Sequence, residues 1–316
     1  MQEKKYNDLQ QRLANHPHED YPVTSRVHAL RSFGKNWFVK RDDELGFSIS
    51  GTKFRKYRTL IPYLRQFKEV VVTGGAFSNH VLGITQLLIE NGIIPKLVLT
   101  GSPPKNSVGN YLFLQALVPS IAWTTEKVEE GVQVLAEGGS CFISFLGAMS
   151  LPLDIVRNEQ ENGVAFDHVF IEAGTGLSAA ALLLGFAYLE KETMCRVLLM
   201  ADSEAKFLEE LARYHAEFEG WLGEKCPFPT RFSCERPSLA PSFGSTNAAL
   251  FEFLVETARS EGFFLDPIYS AKLFYHAKQK IPYLAGPTLI LHSGGALTLS
   301  GFQSQLFGKI ENKLGY

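Results

Sequence analysis

No strong charge of one sign stands anywhere in this sequence: 31 Lys and Arg balance 33 Asp and Glu, for a formal net charge of -2. The two signs are interspersed, so the electrostatic footprint for nucleic acid or an anionic membrane is missing, and neither is expected as a partner. Long hydrophobic runs are missing too. No stretch approaches the roughly 18 apolar residues of a membrane helix, and Met1 to Asp20 is polar and charged rather than signal-like, so a cytoplasmic protein is expected. Cysteine is scarce: Cys141, Cys195, Cys226 and Cys234 form no CxxC pair and have no histidine at ligand spacing, which argues against disulfides and zinc. His16 and His18 flank Pro17 near the terminus and read as a solvated turn. There is no internal repeat or low-complexity tract.

What is present is an alternation of strands and helices, with 45% hydrophobic residues over 316 positions, enough for two cores. Strands are expected over Asn36 to Lys40, Val70 to Val72, Lys96 to Thr100, Ile121 to Thr124, His168 to Glu172, Arg196 to Met200 and Thr288 to Leu291. Helices are expected over Asn79 to Glu90, Asn110 to Leu117, Glu126 to Ala136, Leu151 to Glu161, Ala179 to Glu190, Glu204 to Leu222, Asn247 to Arg259, a stretch ending at Lys280, and from Leu299 onward. Cys226 to Pro241, rich in Pro and Ser, reads mainly as loop. Such alternation predicts parallel sheets in an α/β protein.

The chain is organised around Ser50-Gly51-Thr52-Lys53. Phe54, Tyr57, Leu60, Ile61, Leu64 and Phe67 recur at helical spacing after it, with Pro62 expected to kink the helix. A lysine at a helix start lies near the positive end of the dipole, and Arg55 and Lys56 add like charge, so its protonated form is disfavoured. Such a lysine suits imine chemistry with a carbonyl. An exposed helix-start lysine is the plain alternative.

Three strand ends carry small and hydroxyl residues where ligands of open α/β sheets bind. Ser78 and Asn79, in Gly74-Gly75-Ala76-Phe77-Ser78-Asn79-His80, offer a hydroxyl, an amide and backbone N–H groups to a carboxylate, or simply cap a helix. Gly174, Thr175, Gly176, Leu177 and Ser178 suit a phosphate, or form a tight turn. This loop lacks the GK[ST] of a P-loop and the GxGxxG with its distant acid, so nucleotide binding is weakly supported. Ser293, in His292-Ser293-Gly294-Gly295, can face a neutral ring nitrogen or cap the next helix. Tyr269, in Asp266-Pro267-Ile268-Tyr269-Ser270, is either a site phenol or a core residue.

Together with Lys40-Arg41-Asp42-Asp43 and Ser50-Gly51-Thr52-Lys53-Phe54-Arg55-Lys56, these motifs resemble, in order and over nearly the whole chain, the 1-aminocyclopropane-1-carboxylate deaminase and D-cysteine desulfhydrase family. The resemblance implies pyridoxal 5'-phosphate, fold type II (tryptophan synthase β-like), two open twisted, mostly parallel sheets flanked by helices, and a homodimer. It implies a larger domain of residues 1–50 plus 146–316 and a smaller inserted one of 51–145. Lys53 falls on the imine lysine, Asn79 on the partner of the cofactor's phenolic oxygen, Ser78 on the substrate-carboxylate contact, Gly174 to Ser178 on the phosphate cradle and Tyr269 on the active-site tyrosine.

The departures bear on the substrate. Where the deaminases have a glutamate after that tyrosine and a leucine in HxGG, this chain has Ser270 and Ser293, similar to the desulfhydrase branch. A second family tyrosine is Phe243 here, the glutamine before Ser-Asn-His is Phe77, and Thr52 replaces an asparagine. The expected reaction is β-elimination from D-cysteine or a related β-substituted alanine, giving a 2-oxo acid and ammonia. The ring nitrogen is expected to stay neutral against Ser293, with Ser270 as second choice, and no carboxylate is expected near it. An aminocyclopropane carboxylate deaminase and a cofactor-binding protein without turnover are the alternatives.

Overall fold

The protein was analysed as a computed structural model that describes residues 2–46, 51–125, 134–135 and 137–314. In chain order the elements are α1 Gln2–Asn15, β1 Val27–Ala29, β2 Trp37–Lys40, α2 Thr52–Leu64, β3 Glu69–Gly74, α3 Asn79–Glu90, β4 Ile94–Thr100, α4 Gly109–Leu117, β5 Ala122–Thr124, β6 Val134–Leu135, α5 Phe142–Ala148, α6 Ser150–Asn162, β7 His168–Ala173 and α7 Leu177–Tyr188. They continue with β8 Met194–Leu199, α8 Glu204–Leu222, β9 Phe232–Glu235, α9 Ala248–Glu261, α10 Ser270–Lys280, β10 Thr288–Leu291 and α11 Gln303–Leu314. Two sheets result. The larger has the order β1-β2-β10-β7-β8-β9 and is parallel except for β1; the smaller, β5-β4-β3-β6, is parallel throughout.

Side-chain alternation assigns the faces of the larger sheet. Val169, Ile171, Leu289 and Leu291 pack on one side with α1, α5, α6, α7 and α8. Phe170 and Ile290, one residue out of step, pack on the other with α9 and α10. Helix α7 is apolar nearly all round, as befits a helix buried on every side. In the smaller sheet Val70, Val72, Leu97 and Leu99 pack with Leu60, Ile61 and Leu64 of α2 and Ile84, Leu87 and Leu88 of α3. Pro62 falls in the last turn of α2, so the helix runs on through it to Leu64.

Several sequence expectations fail for identifiable reasons. Helix α1 rests on two buried leucines, Leu9 and Leu13, too few for its polar sequence to show a period. Helix α5 is a short, nearly all-apolar run that periodicity cannot classify. The Cys226 to Pro241 stretch contains β9, an edge strand half-buried along its length and so without alternation. Val134 and Leu135, expected at the end of a helix, pair in parallel with Val71 and Val72; the rest of that expected helix, 126–133 and 136, lies outside the described residues, as does Ser50. The helix expected from Leu299 is a 3-10 turn, Ala296–Gly301, followed by α11.

A buried charge cluster fixes the start of α2. Arg55 donates from Nε and Nη2 to the two Asp42 carboxylate oxygens at 2.8 and 2.7 Å, and from Nη2 to Asp154 at 2.7 Å. Lys40 Nζ donates to Asp154 and to Asn158, and Thr52 Oγ1 to Asp42 at 3.0 Å. Two cations and two carboxylates close on one another, tying α2 to β2 and α6. Arg55 therefore points away from Lys53, into this cluster.

Candidate active site

One cavity gathers most of the residues singled out for a site from the sequence. Lys53, Ser78, Asn79, Gly174, Thr175, Gly176, Leu177, Ser178, Tyr269 and Ser293 all line it. It lies where the ends of β3, β7 and β10 and the start of α2 converge, the carboxyl ends of parallel strands.

Lys53 is held there by backbone contact between α2 and β10. The Thr52 N–H donates to the Ser293 carbonyl at 3.2 Å. Gly51 makes that approach possible: it has φ +93°, and a Cβ there would lie 1.4 Å from the Ser293 carbonyl oxygen. Burial pushes the Lys53 ammonium below its ordinary pKa, with Glu172 and Asp266 pulling partly the other way. Desolvation rather than the cationic neighbours dominates, since Arg55 is spent on Asp42 and Asp154. Lys53 Nζ stands 5.8 Å from the centre of the Tyr269 ring.

Ser78 both caps α3 and lines the cavity: its Oγ accepts from the backbone N–H of His80 and Val81 at 3.2 and 3.3 Å. Asn79 is oriented by its surroundings. Its Oδ1 accepts from Asn110 Nδ2 at 2.7 Å and Thr298 Oγ1 at 3.0 Å, so Nδ2 is the end left to donate. Gly174 admits the phenol, because a Cβ there would sit 3.3 Å from the Tyr269 ring edge. Gly176, at φ +83°, starts α7 and leaves the N–H groups of that helix facing the loop.

Ser293 is placed by its neighbour. His292 Nε2 pairs with the Phe264 carbonyl at 2.9 Å while Nδ1 accepts from the Gly294 N–H at 3.2 Å, which fixes the tautomer and the turn. Ser270 does not reach the cavity. Its hydroxyl and backbone N–H both go to Asp266, whose carboxylate also accepts from the N–H of Ile268 and Tyr269. This closed turn holds Tyr269 in place and removes Ser270 as a ring-nitrogen partner. Phe243 packs edge-on to Tyr269 with ring centres 6.1 Å apart, on the side of a wider outer cleft that shares Gly174, Thr175 and Tyr269 with the cavity. Phe77, half exposed, lines neither space.

Lys56, His80 and Glu172 also line the cavity without having been given a site role from sequence. Lys56, one turn after Lys53, is brought down to about 7, by burial first and then by Lys53. His80 is pushed down to about 3 by burial, with Lys56 and Lys53 adding, so its ring is neutral; its Nε2 is buried without a partner. Glu172, near the end of β7, is raised by burial to about 7. Glu172 stands beside Ser293, the residue expected from sequence to face a ring nitrogen with no carboxylate near it, and its interaction with the Ser293 side chain opposes the effect of burial. Only Lys56 carried a signal, its place three residues after Lys53. A glutamate inside an apolar strand gives no indication of which way it points.

The residues fit pyridoxal 5'-phosphate. A buried amine of lowered pKa, an amide turned to donate, a glycine-opened loop at a helix N-terminus and an orphaned buried carboxylate oxygen surround one space. Among the described residues no cluster of His, Cys, Asp and Glu has metal-binding geometry, and no helix is long and apolar enough to cross a membrane.

No family model matches the chain. A candidate 1-aminocyclopropane-1-carboxylate deaminase of Pyrococcus furiosus is 28% identical over 302 residues, 87% of this chain and 89% of its own. A D-cysteine desulfhydrase of Serratia proteamaculans is 26% identical over 334 residues, 95% of this chain and 100% of its own. Among solved structures, an ACC deaminase homologue superposes with a TM-score of 0.81 at 22% identity, covering 95% of this chain and 98% of its own. Threonine deaminase isoform 2 of Solanum lycopersicum has a TM-score of 0.64 at 12% identity, covering 96% and 92%. The chain is thus a homologue of enzymes named 1-aminocyclopropane-1-carboxylate deaminase and D-cysteine desulfhydrase, and it has the fold of type II pyridoxal phosphate enzymes.

Proposed function

We propose that this protein is a pyridoxal 5'-phosphate-dependent lyase that eliminates the β-substituent of a small amino acid, D-cysteine or a related β-substituted alanine. The observation that carries the reading is the single cavity in which Lys53, Asn79, the Gly174 to Ser178 loop and Tyr269 converge. Bound there, the cofactor would withdraw electrons from the substrate's Cα. Lys53 would carry it covalently, Asn79 Nδ2 would donate to its phenolic oxygen, and the loop N–H groups with Lys56 would take its phosphate.

Lys53, displaced by the substrate amine and uncharged more readily than an exposed lysine, takes the Cα proton as general base. Ser78, at the N-terminus of α3, receives the substrate carboxylate. Burial, reinforced by Asp266 and Glu172, raises the Tyr269 phenol well above its ordinary range, so it is held protonated and serves as a donor. The electron pair left by the Cα proton forms the Cα=Cβ bond as the Cβ–S bond breaks with its pair going to sulfur, which Tyr269 protonates; the enamine released tautomerises to an imine, which water hydrolyses to a 2-oxo acid and ammonia.

Phe243 beside Tyr269 favours elimination over cyclopropane opening, because a second phenol is missing at that position. We assign residues 1–50 plus 146–316 to a larger cofactor-binding domain and 51–145 to a smaller inserted one, and we place the protein in the cytoplasm as a homodimer.

The test is borohydride reduction of the protein with bound pyridoxal phosphate, then peptide mapping, alongside assays of sulfide, 2-oxo acid and ammonia release. The label is expected on Lys53 and turnover on D-cysteine. A label elsewhere removes Lys53 from its role. Aminocyclopropane carboxylate turned over faster than every β-substituted alanine makes the protein a deaminase of that substrate, and a labelled Lys53 without any turnover makes it a binding protein.

A further inference from the structure

Glu172 is a costly residue that the reaction described above does not use. It sits in a strand whose neighbours Phe170, Ile171 and Ala173 are buried, and its Oε2 is buried without a hydrogen-bond partner. An acid so placed costs stability unless something else requires it.

Its position is set by sheet register. Strands β7 and β10 run parallel, with Phe170 opposite Ile290. Two residues further along β7 and three beyond Ile290, Glu172 and Ser293 arrive at the same end of the sheet, and both line the cavity. The charged and titratable groups that act on Glu172 are few. Lys53 at the start of α2 favours its charged form, Asp266 before α10 opposes it, and the Ser293 side chain interacts with the carboxylate. The same carboxylate helps raise the Tyr269 phenol.

We infer that Glu172, standing beside Ser293, is the acid that faces the pyridine nitrogen of the cofactor and sets whether that nitrogen carries a proton. The inference rests on the cofactor reading proposed above and revises its electronics. A serine hydroxyl can donate to a neutral nitrogen or accept from a protonated one, but it brings no charge. A carboxylate brings the negative charge that holds an N–H proton in place. The exchange balances: the carboxylic acid gives up its O–H, the nitrogen gains the N–H, and the pair remains neutral overall. Ser293 then orients the carboxylate rather than replacing it. Ser270, closed onto Asp266, has no part.

Loading wild-type protein and the Glu172→Gln and Ser293→Ala variants with ring-15N pyridoxal 5'-phosphate, and recording the nitrogen chemical shift, decides the matter without reference to turnover. Wild type is expected to give the strongly shielded signal of a protonated pyridine nitrogen. Glu172→Gln should lose that signal for the deshielded neutral one, and Ser293→Ala should keep it. A neutral nitrogen in wild type, or a protonated one that survives in Glu172→Gln, overturns the inference. Borohydride labelling of Lys53 in the same samples separates the two readings. Wild-type protein that takes up no cofactor and labels no lysine brings down the cofactor reading and this inference with it, whereas a labelled wild type with a neutral nitrogen brings down this inference alone. If Glu172→Gln does not load, the wild-type signal still decides.

Discussion

Gly51 and Ser293 touch backbone to backbone: a single methyl group on Gly51 would fall 1.4 Å from the Ser293 carbonyl oxygen, inside the space of that atom. The contact joins the helix that carries Lys53 to the strand end that carries Ser293, so it registers the two sides of the cavity.

Gly51→Ala is therefore expected to destabilise the protein by about 2–4 kcal/mol, from the left-handed backbone cost plus forced separation of the two segments. Urea unfolding measures the loss. Borohydride labelling of Lys53 should fall with it, since the amine moves with the helix start. Unchanged stability and labelling would show that α2 is placed by other contacts.

The charge cluster under α2 gives a second outcome. Arg55→Met leaves buried Asp42 facing Lys40 at 4.0 Å and Asp154 with Lys40 and Arg157, and should cost about 3–5 kcal/mol. The acid limb follows from Asp42. Burial alone would raise its pKa, but Arg55, Lys40 and Ser25 override this and bring it down to about 2, from an ordinary 3.8. A depressed carboxylate stabilises the fold fully above pH 3.8 and loses that contribution as pH falls from 3.8 toward 2. Urea titrations from pH 5 to 2 should show stability dropping through this window, and Asp42→Asn should flatten the drop.

Lys56 should act on the phosphate end of the cofactor. In the cofactor-free protein it titrates near 7, so above that pH it is mostly uncharged, and binding an anion must first protonate it. Affinity for pyridoxal phosphate relative to pyridoxal should fall as pH rises above 7, a comparison that cancels any effect of Lys53. Lys56→Met should abolish this slope and weaken phosphate-dependent binding about 10- to 100-fold. Equal pH slopes in both proteins would remove Lys56 from the phosphate site.

Tyr269 and Phe243 divide the reaction between them. Tyr269→Phe keeps the ring packed against Gly174 and Phe243 but removes the proton donor, and should lower kcat on D-cysteine about 100-fold with little change in KM. Phe243→Tyr adds a second phenol at the mouth and should raise activity on aminocyclopropane carboxylate relative to D-cysteine. Steady-state kinetics on both substrates check each. A Tyr269→Phe enzyme of full kcat would assign leaving-group protonation to another donor.

What the sequence determined by itself was the local grammar. Helical spacing and the end signals marked α3 and α8 to the residue, and β10 likewise, because each is a regular element bounded by capping or turn residues. The glycine and hydroxyl residues at strand ends were legible for the same reason, since ends of parallel strands are where small polar groups serve a ligand. Lys53 was legible from its place at a helix start. Tertiary structure alone decided what those residues meet. Ser270 and Ser293 are equivalent hydroxyls in the sequence, yet Asp266 closes the first into a turn and the register of β10 with β7 delivers the second to the cavity. Arg55 and Lys56 are adjacent cations, but a helix points them about 100° apart, one into Asp42 and the other into the site. Glu172 shows the limit most plainly: a strand sequence alternates its side chains between two faces without saying which face a ligand will share, and only the assembled sheet brings that acid beside Ser293.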